Sequence, residues 1–215
     1  MLQSMSVKIN EIFYSIDGEG KRAGCPAVFI RLSGCNLRCN YCDTKYAFWE
    51  GENKSIESII EETQQYRCNN VTVTGGEPLI QPHTMELIES LGNEGYNIII
   101  ETNGSVDVSE AMKYASICLD WKTESSGENE KMLLGNIKKL RETDVLKIVM
   151  RDKDAESVER FIDSIKTKAP IYLSPVFHEA NLSQMAEIVK RHPEKNVRIQ
   201  LQMHKFIWNQ NERGV

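Results

Sequence analysis

Three cysteines fall within eight residues, Cys35, Cys39 and Cys42, in the run Gly34-Cys-Asn-Leu-Arg-Cys-Asn-Tyr-Cys-Asp43. Thiolates at this C-x3-C-x2-C spacing hold a soft or borderline metal. Their number separates the candidates. A structural zinc takes four protein ligands in a tetrahedron, usually from two C-x2-C pairs. A cubane iron–sulfur cluster is held by thiolates, normally four. With three, one iron keeps no protein ligand and can bind a small molecule. The competing reading is half a zinc site completed by Cys25, Cys68 or one of the four histidines. A disulfide framework is a poor fit, because a chain this long does not need staples. Cys25, Cys68 and Cys118 read as small apolar residues.

A second cluster of chemical interest is Gly75-Gly76-Glu77-Pro78. Paired glycines let the backbone approach a ligand closely. Pro78 removes a donor and sets the turn that follows. Backbone carbonyls here, with Glu77, could accept from an ammonium group; the plain alternative is a strand-to-helix turn. Tyr41, just before the last cysteine, could cover a ligand or only shield the metal. Asp120-Trp121-Lys122 ends another apolar run, where Lys122 and Ser125 or Ser126 could reach hydroxyls or a carboxylate of a ligand.

These residues must be positioned by an alternation of strands and helices. Strand-like runs occur at Ala27 to Leu32, Val71 to Thr74, Asn97 to Glu101, Ile117 to Leu119, Val145 to Met150, Ile171 to Leu173 and Val197 to Leu201. Amphipathic stretches of helical period lie between them, at Ser55 to Tyr66, Thr84 to Leu91, Glu130 to Leu140, Ala155 to Ile165 and Leu182 to Val189. Strand followed by helix, repeated, predicts a parallel sheet with crossover helices. The strands are too few for an eightfold barrel, so the expectation is an α/β fold with an incomplete barrel. The site then belongs at the C-terminal strand ends. The cysteine loop, the Gly-Gly turn, Thr102-Asn103-Gly104 and Asp120-Trp121-Lys122 all follow strands in this way.

The chain has 215 residues and a net charge of −5. One domain, residues 1–215, is expected. No basic stripe marks a nucleic-acid partner. No apolar run approaches the roughly 20 residues of a membrane span. Met1 to Glu11 lacks the apolar core of a secretory leader, so a cytoplasmic location is expected.

The cysteine spacing and the Gly-Gly-Glu-Pro run resemble the radical S-adenosylmethionine enzymes. That resemblance implies an incomplete (β6/α3-like) TIM barrel, a 4Fe–4S cluster on Cys35, Cys39 and Cys42, and S-adenosylmethionine on the open iron. Cleavage of the cofactor would release a 5′-deoxyadenosyl radical. Its binding residues would be Tyr41, Gly75, Gly76, Glu77, Asp120, Trp121, Lys122 and Ser174. Further segments narrow the likeness: Phe13-Tyr-Ser-Ile-Asp-Gly-Glu-Gly20, Arg31-Leu-Ser-Gly-Cys35, Cys42-Asp-Thr44, Glu101-Thr-Asn-Gly104 and His204-Lys-Phe-Ile-Trp208. Together they resemble the 7-carboxy-7-deazaguanine synthase family. That family contracts 6-carboxy-5,6,7,8-tetrahydropterin to 7-carboxy-7-deazaguanine with loss of ammonia, on the way to queuosine and other deazapurines.

The resemblance implies further roles. Thr44 would ligate Mg²⁺, a hard ion suited to a hydroxyl oxygen. Ile16, Asp17, Gly18, Arg31, Thr74 and the Val215 carboxylate would bind the pterin, with Arg31 pairing its carboxylate. Many members have Gln where this chain has Asp17, and an ionised Asp only accepts hydrogen bonds. A flavodoxin- or ferredoxin-type electron donor and a homodimer are implied as well. Two alternatives stay open at this stage: an activating enzyme for a glycyl-radical protein, and a zinc-binding module without catalysis.

Overall fold

Alternation along the strands explains why this chain makes one sheet with two unlike faces. At helix-facing positions stand Ile30, Leu32, Val71, Val73, Ile98, Ile100, Ile117, Leu119, Leu146, Ile148, Ile171 and Leu173, all buried in one core with residues of the helices. Between them, pointing the other way, come Arg31, Thr72, Thr74, Glu101, Asp120, Lys122 and Lys147. A period of two therefore separates core from site within each strand.

The computed structural model describes residues 5–209 and 212–215. The first four residues of the stretch read above for a leader thus lie outside the described residues. In chain order the elements are β1 (Ser6–Ile16), β2 (Pro26–Leu32), β3 (Glu52–Ser55), α1 (Ile56–Gln64), β4 (Asn70–Gly75), α2 (Thr84–Asn93), β5 (Asn97–Thr102), β6 (Ser116–Lys122), α3 (Leu134–Lys139), β7 (Val145–Met150), α4 (Ala155–Ser164), β8 (Ile171–Pro175), α5 (Leu182–Arg191), β9 (Val197–Ile199) and α6 (His204–Ile207). The sheet order is β3-β1-β2-β4-β5-β6-β7-β8-β9. Each pair from β2 to β9 is parallel. This is the expected unclosed, mostly parallel sheet.

Two strands were not legible in advance. β1 pairs antiparallel with β2, and its register shifts between Ile9 and Glu11. That irregularity breaks the alternation and hides an eleven-residue strand. β3, Glu-Asn-Lys-Ser, has no apolar signal and forms the sheet edge beside β1. The helix expected over Glu130 to Leu140 is shorter. A 3₁₀ turn at Asn129–Lys131 precedes α3, and Asn136 within α3 donates to the carbonyls of Gly104 (3.1 Å) and Val106 (2.7 Å). β9 likewise stops at Ile199, two residues before the expected end.

Because β1 runs antiparallel, its end meets the start of β2: Ile16 lies opposite Pro26. The loop after Ile16 therefore closes the bottom of the open barrel, opposite the cysteine loop. Arg22 fastens it there, donating to the carbonyls of Val71 (3.0 Å) and Asn97 (2.6 Å) at the starts of β4 and β5.

Candidate active site

Register brings the two sequence motifs together. In the parallel pair β2–β4, Arg31 lies opposite Thr74 and Leu32 opposite Gly75. The cysteine loop and the Gly-Gly turn leave these strands side by side. The amide of Gly76 donates to Leu32 O (3.2 Å) and that of Glu77 to Gly34 O (2.9 Å). A Cβ added at Gly76 would stand 2.1 Å from Gly34 O and 2.7 Å from Cys35 Cβ. Gly75 has φ +141°, and a Cβ there would meet Leu32 O at 2.1 Å. Both glycines are thus required by close approach of backbone to backbone.

One cavity of about 490 Å³ runs from this rim down to the loop at the barrel floor. Cys35, Cys39, Cys42, Tyr41, Thr44, Gly75, Gly76, Thr74, Asp120, Lys122, Arg31, Ile16, Asp17, Gly18 and Val215 all line it. Cys25, Cys68 and Cys118 do not, so the structure brings none of them to the triad. Among the described residues, no three His, Cys, Asp or Glu side chains gather as a single ion would require. A cubane does not ask for that, since each thiolate meets a separate iron. Burial lifts the Cys39 thiol to about 11 and raises those of Cys35 and Cys42, while Lys122 pulls each back. Loading a metal must therefore release protons. The Asn103 amide approaches Cys35 Sγ at 3.9 Å, a donor toward one thiolate.

The electrostatics of the concave face form a chain. Lys122 pairs with Asp120 (3.0 Å); Lys147 pairs with Asp120 (3.4 Å) and with Glu19 (2.5 Å). Gln202 also donates to Glu19. Burial alone would raise the Glu19 carboxyl, but Lys147 and His204 outweigh it and hold it below its usual value. Burial pushes His204 below its usual value, although Glu19 draws the other way. His204 sits so close over Gly18 that an added Cβ would fall 2.1 Å from Nδ1. Thr74 donates to Glu101 (2.8 Å) and aims that carboxylate into the cavity. The wall beside it is aromatic, with Phe13 and Phe29 stacked at 4.9 Å as cross-strand partners.

Two buried polar atoms in this region have no hydrogen-bond partner among the described residues: Asp120 Oδ1 and Ser174 Oγ. Ser174 is not in the cavity wall itself. It lies on one row of the sheet with Val149 and Lys122. Buried unpaired groups cost about 1–3 kcal/mol each. A ligand with an amino group bound in the cavity would satisfy Asp120 Oδ1, which fits the polar cofactor expected here.

Four expectations change in detail. Trp121 points to the helix side, where it stacks on Phe161 at 4.5 Å, because alternation turns it away from Asp120 and Lys122. Ser125 and Ser126 are internal caps: Ser125 donates to Asp154 (2.6 Å) and Ser126 to Thr123 O (2.6 Å). The Glu77 carboxylate is fully buried and accepts from Asn103 N (2.6 Å), Leu79 N (3.0 Å) and Thr102 Oγ1 (2.9 Å). It ties β5 to the Gly-Gly turn and leaves the turn's backbone to meet a ligand. Asp17 accepts from Arg22 (2.8 Å) on one oxygen and from Thr72 (2.8 Å) on the other.

Arg31 and Thr44 keep capacity for ligands. Arg31 donates Nε to Glu11 (2.7 Å), and its two terminal nitrogens have no acceptor among the described residues. Thr44 precedes a 3₁₀ turn at Lys45–Phe48 but makes no capping bond; its hydroxyl donates to Asp43 (2.9 Å). Tyr41 donates to Val149 O (3.2 Å), fixing its ring over the cavity beneath Arg151. Glu19, Lys147 and Gln202 escaped the sequence reading. Only a polar residue interrupting an apolar strand, as at Lys147, could have flagged them.

The fold and this cavity define a class. The family model of the Radical SAM superfamily matches residues 29–192, so this is a radical SAM protein with a 4Fe–4S cluster and S-adenosylmethionine as its cofactors. The chain is 39% identical to the 7-carboxy-7-deazaguanine synthase of Clostridium acetobutylicum, over 98% of its own length and 100% of that relative. It is also 39% identical to the synthase of Methanospirillum hungatei, over 95% of this chain and 87% of the relative. The chain belongs to the 7-carboxy-7-deazaguanine synthase family. Among solved structures, QueE from Escherichia coli shares the fold with TM-score 0.76 at 24% identity, covering 93% of this chain and 95% of that one. Streptococcus suis SuiB matches with TM-score 0.59 over 78% of this chain and 46% of its own.

Proposed function

We propose that this chain contracts 6-carboxy-5,6,7,8-tetrahydropterin to 7-carboxy-7-deazaguanine with loss of ammonia. The observation that carries the reading is a single cavity joining the cysteine loop, the Gly75–Gly76 turn, Thr44 and the outer nitrogens of Arg31. When bound, the cluster and S-adenosylmethionine supply one electron and a carbon radical able to take hydrogen from the pterin. The chain's own residues bind, orient and exclude water.

Cys35, Cys39 and Cys42 would hold the cluster. The backbone of Gly75 and Gly76, the ring of Tyr41, and the side chains of Asp120 and Lys122 would hold S-adenosylmethionine, with Ser174 behind the wall on the sheet row of Lys122. Glu77 and Trp121 position that subsite without touching it. Thr44 would bind Mg²⁺ through its hydroxyl. Arg31 would pair with the substrate carboxylate, and a bidentate guanidinium suits that geometry. Glu101, aimed by Thr74, offers an acceptor to pterin N–H groups. The flat ring system fits against Phe13 and Phe29. Ile16, Gly18 and Val215 complete the pocket, with Asp17 in its wall but engaged by Arg22 and Thr72.

We further infer one radical SAM core domain over residues 1–215, working as a homodimer in the cytoplasm and fed by a flavodoxin- or ferredoxin-type donor. All six cysteines are free, which agrees with a reducing compartment. The test is anaerobic reconstitution with iron and sulfide, then incubation with the carboxypterin, S-adenosylmethionine, Mg²⁺ and dithionite. Product should appear by mass spectrometry without any protein substrate. A fully loaded cluster with no product would end this reading.

A further inference from the structure

Two guanidinium groups meet at Tyr46. Its hydroxyl donates to Glu11 Oε1 (3.1 Å), the same oxygen that accepts from Arg31 Nε (2.7 Å). The Arg31 guanidinium carbon lies 5.9 Å from the Tyr46 ring centre. That of Arg213 lies over the ring at 3.7 Å. Arg213 also donates Nη1 to Glu50 (2.9 Å).

Past Arg213 the chain runs along the aromatic wall of the cavity. Gly214 takes φ +72°, and a Cβ added there would stand 4.0 Å from Phe13 Cβ. Arg213, Gly214 and Val215 line the same cavity as Phe13, Arg31 and Tyr46. Among the described residues, neither Gly214 nor Val215 has a hydrogen-bond partner. The side chain of Arg213 is therefore what fastens this stretch against the cavity. Each of its contacts is modest. Arg213 and Glu50 are both about half exposed, so their ion pair contributes little. The stack on Tyr46 adds a second contact, still weak enough to open and re-form.

We propose that Arg213 is a clasp for the pterin subsite. Closed on Tyr46 and Glu50, it seats Gly214 and Val215 against Phe13 and walls the pocket beside Arg31. Released, it lets substrate in and product out. Tyr46 is the positioning residue that ties the clasp to carboxylate recognition, because one Glu11 oxygen holds both its hydroxyl and Arg31. The inference rests on the proposed function and adds what closes the pocket around its substrate. Removing the clasp takes away binding rather than chemistry, so KM and kcat should separate.

Two measurements test it. Trypsin cuts after Arg213 only when that side chain leaves the clasp and enters the protease, so release of Gly214–Val215 from the folded protein reports opening. Followed by mass spectrometry, release should be slow in wild type and in Tyr46→Phe, which keeps the ring. It should be on the order of tenfold faster in Tyr46→Leu, and faster to a lesser degree in Glu50→Gln. If Tyr46→Leu does not fold, Glu50→Gln carries the comparison. In the reconstituted enzyme, Arg213→Gln should raise KM for the carboxypterin about three- to tenfold, with kcat little changed and iron content as in wild type. Wild-type release as fast as in the variants overturns the clasp. So does an unchanged KM in Arg213→Gln, or a fall in kcat alone. If wild type does not turn over the carboxypterin, the proposed function fails, and the trypsin arm decides the clasp by itself.

Discussion

Asp17 shows how a single side chain can be drawn away from the role its position suggests. Arg22 and Thr72 hold its two oxygens, and Arg22 in turn grips the starts of β4 and β5. Burial raises the Asp17 carboxyl above its usual range, with Arg22 opposing. The pair is nearly enclosed, so removing one charge strands the other in a dry site. Asp17→Asn should therefore cost about 3 kcal/mol of stability in urea unfolding. KM for the carboxypterin should move much less than if Asp17 gripped substrate. Unchanged stability with a strongly raised KM would return Asp17 to direct recognition. The motif residues were readable because their chemistry demands particular types at fixed spacing. Asp17 was not, since its partner depends on how the floor loop closes.

At the level of elements, the site depends on how tightly the ends of β2 and β4 approach. Gly76 occupies a point where any Cβ would strike Gly34 O and Cys35. Backbone cannot move aside as a flexible side chain would, so Gly76→Ala should displace Cys35 and the first turn of the cysteine loop. Iron content after reconstitution, with the cluster's visible absorption, should drop by more than half, at near-normal secondary structure by circular dichroism. Full iron loading in this variant would show the contact to be soft. The parallel strands and crossover helices were legible because they repeat one hydrophobic period. β1 was not, because a register shift interrupts its alternation, and β3 was not, because an edge strand needs no apolar face. The antiparallel course of β1 is what carries Ile16, Asp17 and Gly18 to the barrel floor.

Across the whole molecule, a charge relay links the two proposed subsites. It runs from Lys122 through Asp120 and Lys147 to Glu19, crossing β6, β7 and the floor loop. Lys147→Met should cost about 3–5 kcal/mol near neutral pH by leaving buried Glu19 unpaired. Glu19 is held below its ordinary value of 4.5 in the folded protein, so its contribution is present above that pH and lost as pH falls through the lowered value. The gap between wild type and variant should accordingly narrow on acidification, read from denaturant midpoints across the pH range. A gap independent of pH would mean that Lys147 acts by packing alone.

The sequence alone determined the alternating architecture, the cysteine spacing on which the proposed cluster site rests, and the family, because each is encoded in local period or short-range spacing. Tertiary structure decided which face each side chain serves. It turned Trp121 to the helices, drew Glu77 into a brace between β4 and β5, paired Asp17 with Arg22, and gathered Glu19, Lys147 and Gln202 from distant segments into the cavity. Those outcomes follow from strand register and loop closure, which bring together residues that no local pattern connects.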